Sequence, residues 1–413
     1  MTSDRLDLVV FGATGYTGKY VVKELVKIAE VHPVTWGIAG RNQNKLATLL
    51  QDVSKKTGKK LSSIKVIVAD VDDTPSLMNM CNQAKVILNC CGPFVKYGEA
   101  VVSAAVDTKT HYVDVGAELK FMKLLEQKYD QLAQESGVYV ISACGLLSIP
   151  ADLGVLFLEQ NFDGTLNSVE SYLIMKFPPK MEEEGRKNGV IRYSSWESMI
   201  NSLADVSVKK LKQENTIKTE TVLKERFIHK YQDRWSLPFP GADLFVVSKT
   251  QRYLSTTKSK RVIQYRPYIT FSSIFSAIGA LLAGIILFVL CQMSCTKKFL
   301  LKHPRLCSFG RVTYNDTEEG LMDGSCMQYE MIGRGWDRNM CGPKPDKKMV
   351  ARVSVSGLDP PFIGTAVAVI FSAIAILKEK DKMPEKGGVL SPGVAFKNTS
   401  IVKNLQQHDF EFK

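Results

Sequence analysis

Three glycines spaced three apart, Gly12, Gly15 and Gly18, follow directly on the apolar run Leu8-Val9-Val10-Phe11. After them Val21, Val22, Leu25, Val26 and Ile28 recur at helical spacing. Strand, glycine turn and helix in that order form an anion site. One glycine permits the sharp turn, one lets phosphates approach the backbone, and one lets the helix pack close to the strand. A pyrophosphate then sits on the N–H groups of the helix start, where the helix dipole favours negative charge. Gly12, Thr14, Gly15, Tyr16, Thr17 and Gly18 are therefore read as nucleotide-binding, although the spacing is G-x-x-G-x-x-G rather than G-x-G-x-x-G.

The next strand-like run, Val34 to Ala39, ends at Gly40-Arg41-Asn42. An NAD site places an acid there for the ribose hydroxyls. Here Arg41 and Asn42 occupy the place, with Lys45 one helical turn on. Guanidinium suits a 2′-phosphate, so NADP is expected over NAD. Asp70 and Val71 follow the strand Ile64 to Ala69, and Cys90, Cys91 and Gly92 follow the strand Lys85 to Asn89. Ligands of open parallel sheets sit at the carboxyl ends of the strands. Asp70 and Val71 are accordingly expected by the adenine, and Cys90, Cys91 and Gly92 on the route to the nicotinamide.

No catalytic residue is assigned. Tyr97, Asp114 and Ser148 lie near strand ends, where packing and helix capping account for them. Tyr172 and Lys176 make a Y-x-x-x-K spacing, but in a strand-like run rather than a helix. The thiols of Cys90 and Cys91 are expected to be inert. Five dispersed histidines and nine cysteines without a C-x-x-C pair imply neither a metal nor a disulfide framework, and a reducing compartment.

These residues need a scaffold. Further strands are read at His111 to Val115 and Val138 to Ile141, with helices at Glu99 to Val106 and Glu118 to Glu135 between. Six strands alternating with helices predict an α/β fold whose N-terminal domain, residues 1–150, is a Rossmann-like parallel sheet. Ala151 to Asn161 reads as a helix, and Asn167 to Phe177, Gly310 to Tyr314, Met327 to Gly333 and Met349 to Ser356 as strands. They predict an α+β second domain over 151–356, expected to carry substrate and dimerisation surfaces. Phe362 to Leu377 reads as a buried core helix.

The chain has 413 residues, 45% hydrophobic and 23% charged. That is ordinary globular composition and excludes a disordered or low-complexity protein. The net charge of +12 is localised. Asp205 to Arg266 carries fourteen Lys/Arg against six Asp/Glu, and Lys297 to Arg311 five against none. Between these stretches, Pro267 to Cys295 has no charged residue, and Ile269 to Cys291 is long enough for the ~20 residues of a membrane helix. Each basic residue near an anionic lipid surface contributes about 1 kcal/mol. A lipid membrane or lipid-droplet surface is thus the expected partner, and no nucleic-acid module accompanies the charge. With both flanks basic, a monotopic hairpin or in-plane helix is preferred to a crossing. A buried helix pair or an interface between copies is the alternative. No secretory signal precedes Leu8, so the protein is not expected to be secreted.

Several blocks together resemble the saccharopine dehydrogenase-like oxidoreductases of animals, and are similar to the bacterial trans-acting enoyl reductases. They are Phe11 to Gly18, Ala39 to Asn42, Asn89 to Phe94 with Tyr97-Gly98, Thr110 to Asp114, Cys144-Gly145 with Ser148 to Gly154, Gly357 to Pro360 and Gly387 to Pro392. The resemblance covers nearly the whole chain. It implies NADP binding, an α+β second domain, and a C-terminal segment, 357–413, whose helix returns to the first domain. The family usually has Phe-Asp where this chain has Leu146-Leu147, so that acid is missing. The leading reading is an NADP-dependent oxidoreductase passing hydride to a carbonyl, imine or enoyl group of a small apolar, lipid-like substrate. It would work at a lipid droplet or the cytosolic face of an intracellular membrane, endoplasmic reticulum or mitochondrion. A non-catalytic nucleotide-binding scaffold is the alternative. A true saccharopine dehydrogenase ranks last, because a water-soluble amino acid gives no reason for the apolar insertion.

Overall fold

A computed structural model describes residues 5–204, 222–258, 260–315, 321–337, 345–357 and 359–413. Part of the first basic stretch, 205–221, and Leu358 of the Gly-Leu-Asp-Pro block lie outside the described residues. The chain forms two compact units. One comprises Met1–Ile149 and Pro361–His408, the other Pro150–Pro360 and Asp409–Lys413.

The first unit begins β1 (Leu6–Phe11), α1 (Tyr16–Val31), β2 (Trp36–Gly40), α2 (Gln43–Thr57), β3 (Lys65–Val68) and α3 (Thr74–Asn82). It continues β4 (Ala84–Asn89), α4 (Phe94–Asp107), β5 (His111–Asp114), α5 (Leu119–Ser136) and β6 (Tyr139–Ile141). The second unit then runs α6 (Ser148–Asn161), β7 (Thr165–Lys176), α7 (Pro179–Lys187), β8 (Ile191–Arg192), α8 (Tyr193–Leu203), β9 (His229–Tyr231) and β10 (Arg234–Pro238). After these come α9 (Asp243–Lys258), β11 (Gln264–Phe271), α10 (Ile274–Gln292), α11 (Ser294–Lys302), α12 (Pro304–Cys307), β12 (Val312–Thr313), β13 (Cys326–Trp336) and β14 (Lys347–Ser356). The chain returns to the first unit with α13 (Pro360–Lys378), β15 (Gly388–Leu390), α14 (Pro392–Phe396) and α15 (Ile401–Gln406), and closes with β16 (Phe410–Phe412).

All pairings of the first sheet are parallel, in the order β15-β6-β5-β4-β1-β2-β3. Parallel strands are covered on both faces, which is why β1 reads as an unbroken apolar run and Leu8 to Phe11 are buried. The six expected strands are all present. The seventh, β15, pairs with β6 across a long sequence separation. It needs Gly387, at φ +74, where a Cβ would lie 2.5 Å from the Val138 carbonyl oxygen. The sheet reverses its direction of growth between β1 and β4, the crevice where such folds bind ligands. The core helix expected near Phe362 is α13, whose Ala366 to Phe371 and Ala373 to Ile376 are buried.

The second sheet runs β16-β14-β13-β7-β11-β10-β9, antiparallel except for β7 beside β11. Tyr172 and Lys176 lie on β7, as the strand reading has it. The strand expected over Gly310 to Tyr314 shrinks to β12, two residues paired with β8. The apolar stretch also differs from expectation. Pro267 to Phe271 belong to β11, an inner strand, and the chain turns helical only at Ile274. Ser273 divides the two, its hydroxyl accepting the Ser276 N–H in a reciprocal capping box. From there to Gln292 the chain is one continuous helix, not a hairpin. Gly279 and Gly284 lie inside it without ending it.

Candidate nucleotide-binding site

The three glycines are each required by local geometry. Gly12 has φ +76, and a Cβ on it would lie 2.9 Å from the Cys91 backbone nitrogen. Its own N–H donates to the Ala39 carbonyl at 3.1 Å. The turn after β1 is thus held between the ends of β2 and β4. A Cβ on Gly18 would lie 2.2 Å from the Gly12 oxygen and 2.8 Å from Ala13 Cα, so α1 can seat on the turn only with glycine there. Gly15 is the N-cap of α1 and donates to the Gly12 carbonyl at 2.9 Å. No side chain caps this helix and no acid stands in its first turn, so its positive end keeps its field for an anion. Thr14, Tyr16 and Thr17 are half-buried beside it. The Tyr16 ring packs edge-on against Phe362 at 4.5 Å.

At the end of β2, Arg41 is exposed, while Asn42 is engaged as the cap of α2, its oxygen accepting the Lys45 N–H at 3.0 Å. At the end of β3, the Asp70 carboxylate accepts the Asp72 N–H at 3.2 Å. Val71 is half-buried, packing in part against the hydrophobic core of the sheet. Burial raises the Cys91 thiol pKa, with Arg41 pulling it down and Asp70 pushing it up. Both charges therefore reach that thiol, and the ends of β2, β3 and β4 share one rim.

Asn89 shapes the turn after β4. It is buried, donates to the Tyr112 hydroxyl at 3.0 Å and accepts the Cys91 N–H at 2.9 Å. The Cys90 N–H donates to the Phe11 carbonyl at 2.9 Å. Burial raises the Cys90 thiol, so both cysteines stay protonated and act as packing. Gly92 is exposed at the start of a cis Gly92-Pro93 bond.

Two carboxylates organise this edge. Asp114 accepts the Ser142 hydroxyl at 2.7 Å, the Gly116 N–H at 2.8 Å and the Ala143 N–H at 3.3 Å, tying the ends of β5 and β6 together. Burial pushes it up to about 7. Glu118 accepts the N–H groups of Phe94 at 3.0 Å and Val95 at 2.8 Å. It thereby caps α4 from across the crevice rim, a role no local pattern signals, because donor and acceptor are 23 and 24 residues apart. Tyr97 lies on α4 with the Lys96 ammonium 4.7 Å from its ring centre. Ser148 is the first residue of α6.

Among the described residues, no group of three His, Cys, Asp or Glu could hold a metal ion, and the eight described cysteines are free. The residues present fit a dinucleotide phosphate. They offer a glycine cradle a Cβ would fill, a helix start without a side-chain cap, and an arginine where the ribose end would lie. This is a Rossmann-type, dinucleotide-binding oxidoreductase fold.

Residues 8–141 match the family model described as the saccharopine dehydrogenase NADP binding domain. The chain is 35% identical to the mouse saccharopine dehydrogenase-like oxidoreductase, over 98% of this chain and 96% of that one. It is 34% identical to the Caenorhabditis elegans lipid droplet localized protein, over 97% of this chain and 96% of that one. Among solved structures, apo saccharopine dehydrogenase (L-Glu forming) from Saccharomyces cerevisiae superposes with a TM-score of 0.55, at 13% identity, over 99% of each chain, which shows a shared fold. The chain belongs to the saccharopine dehydrogenase-like oxidoreductases, and its cofactor is NADP.

Proposed function

We propose that this protein is an NADP-dependent oxidoreductase acting on a carbonyl, imine or enoyl group of a lipid-like substrate, at the surface of a lipid droplet or intracellular membrane. The observation that carries the reading is the turn at Gly12, Gly15 and Gly18 under an uncapped helix, with Arg41 on the same rim. The name of the C. elegans relative supports the droplet. Bound NADPH would supply the hydride. The chain's part is to bind and orient. The α1 N-terminus would take the pyrophosphate, Arg41 the 2′-phosphate, Asp70 and Val71 the adenine side, and the Cys90 to Gly92 turn the approach to the nicotinamide. The first test is titration with NADPH and NADH, followed by NADPH oxidation with long-chain aldehydes, ketones and enoyl esters. NADPH binding with turnover of an apolar substrate supports the reading; failure to bind either nucleotide sinks it.

A second reading, a nucleotide-binding scaffold without turnover, is favoured by one feature. The family resemblance implies Phe-Asp where this chain has Leu146-Leu147, and the Leu146 N–H donates to the Thr365 hydroxyl at 3.3 Å. Tight NADPH binding with no substrate in that screen would select it.

A further inference from the structure

The helix α10 is apolar and 19 residues long, with only 11% of its most apolar window buried, against 72% for α13, the other such helix among the described residues. Its ends are tied down. Ala277 is buried near the N-terminal end, next to the strand-helix junction. At the C-terminal end Leu287, Leu290 and Cys291 pack with Trp196 and Ile200 of α8, Leu300 of α11 and Val312 of β12. Gln292 donates to the Leu203 carbonyl at 3.0 Å, and the Trp196 indole N–H to the Leu300 carbonyl at 3.1 Å. Between the ends the helix is bare all round. From Ile278 to Ile286 every residue but Leu281 is exposed, and nothing lies within 4 Å of where a Cβ would sit on Gly279 or Gly284.

The tail of the helix continues into an exposed apolar and basic collar. Phe299 is 50%, Leu306 69% and Phe309 93% exposed. Phe309 is presented by a turn at φ +52, unusual for a bulky side chain. The same stretch carries Lys297, Lys298, Lys302, Arg305 and Arg311, the last four exposed, with no acid between Lys297 and Arg311.

We infer that α10 lies in the plane of an anionic phospholipid layer, sunk to acyl-chain depth along its middle, with the collar of Phe299, Leu306, Phe309 and the five cations gripping the headgroups beside it. This deepens the lipid-surface reading above and rests on it. Connectivity argues against a crossing. The cluster at the C-terminal end of α10 is joined to the second sheet through residues 177–190, which include Lys180, Glu182, Glu183, Glu184 and Lys187. Those charges would have to traverse the hydrocarbon with the helix. A second copy of the chain would bring an identical cationic collar, whereas a lipid surface brings opposite charge. Exposed aromatics beside cations are the composition of an interfacial anchor.

The test is flotation of the full-length protein with phosphatidylcholine–phosphatidylserine vesicles and with triolein droplets coated by the same lipids. The variants are Leu282→Glu with Ile285→Glu, Phe309→Ser, and Lys297→Glu with Lys298→Glu. NADPH binding reports that each is folded and keeps this question separate from catalysis. Wild type is expected to float. The double glutamate variant loses flotation by about tenfold or more, and the lysine pair loses it only on anionic lipid. Cys295 is exposed just beyond α10. With peptide mapping, a membrane-impermeant maleimide is expected to label it equally in intact and detergent-opened vesicles. Labelling only after detergent means a crossing and overturns the proposal. So does unchanged flotation of the double glutamate variant. A wild type that does not float but dimerises, with the dimer lost in that variant, assigns the helix to a second copy instead.

Discussion

Arg41 stands just past β2, where an NAD-selective site carries a carboxylate for the ribose hydroxyls. A charged hydrogen bond to phosphate contributes about 1.5–3 kcal/mol, an order of magnitude or more in affinity. Arg41→Ala is therefore expected to weaken NADPH about tenfold or more while leaving NADH within about twofold. Parallel fluorescence titrations read this directly, and equal losses for both nucleotides would remove the arginine from the 2′-phosphate. Glycine positions separate in the same experiment. Gly12→Ala meets both a positive φ and the Cys91 nitrogen at 2.9 Å, so it should abolish NADPH binding and lower the melting temperature. Gly279→Ala puts its methyl in open space and should leave nucleotide binding unchanged.

Elements whose pattern is local were legible in the sequence; those fixed by distant partners were not. The six strands from β1 to β6 read correctly, because buried parallel strands are continuous apolar runs between glycine and helix signals. One topological rule, ligands at the carboxyl ends of parallel strands, points to the glycine turn, Arg41, Asp70 and Cys91 together, and Arg41 and Asp70 both act on the Cys91 thiol. By contrast, β15 and β16 are three residues each and exist only through pairing with β6 and β14. The charge-free run from Pro267 hid a boundary, since an inner strand and a bare helix are equally apolar and only Ser272-Ser273 separates them. Val71 and Asn42 also carry structural roles, Val71 in packing against the core of the sheet and Asn42 as the cap of α2. Glu118 is the contact most remote from any motif. Its carboxylate serves two N–H groups at the start of α4, so Glu118→Ala should lose about 1–2 kcal/mol, and Glu118→Gln less. Urea unfolding gives the number. No change for alanine would mean that the α4 start is satisfied without it.

In each unit of the molecule a buried carboxylate prefers its proton. Asp114 in the first is pushed up to about 7, and Asp243 in the second to about 8, both mainly by burial. Asp243 is 1% exposed, accepts the Tyr329 hydroxyl at 3.3 Å and feels the charge of Asp152. In the unfolded chain such groups ionise near 3.8. Between that value and the folded pKa the native state holds a proton the unfolded state has released, so stability falls as pH rises. The slope is about 1.4 kcal/mol per pH unit for each group while both conditions hold. Buried His111 acts in the opposite sense on the acid side. Its pKa is lowered to about 4 by burial, so its contribution is complete above 6.5 and is lost as pH falls towards 4. The two effects separate above pH 6.5, where only the carboxylates still titrate among these three. The melting temperature of the wild type should therefore drop between pH 6.5 and 8. Asp243→Asn, which keeps the shape and cannot ionise, should flatten that drop and gain on the wild type as pH rises. Asp114→Asn should do the same over a window closing near pH 7. Thermal melts across this range decide it. A variant that tracks the wild-type slope would show that its carboxylate ionises in the fold as readily as in water.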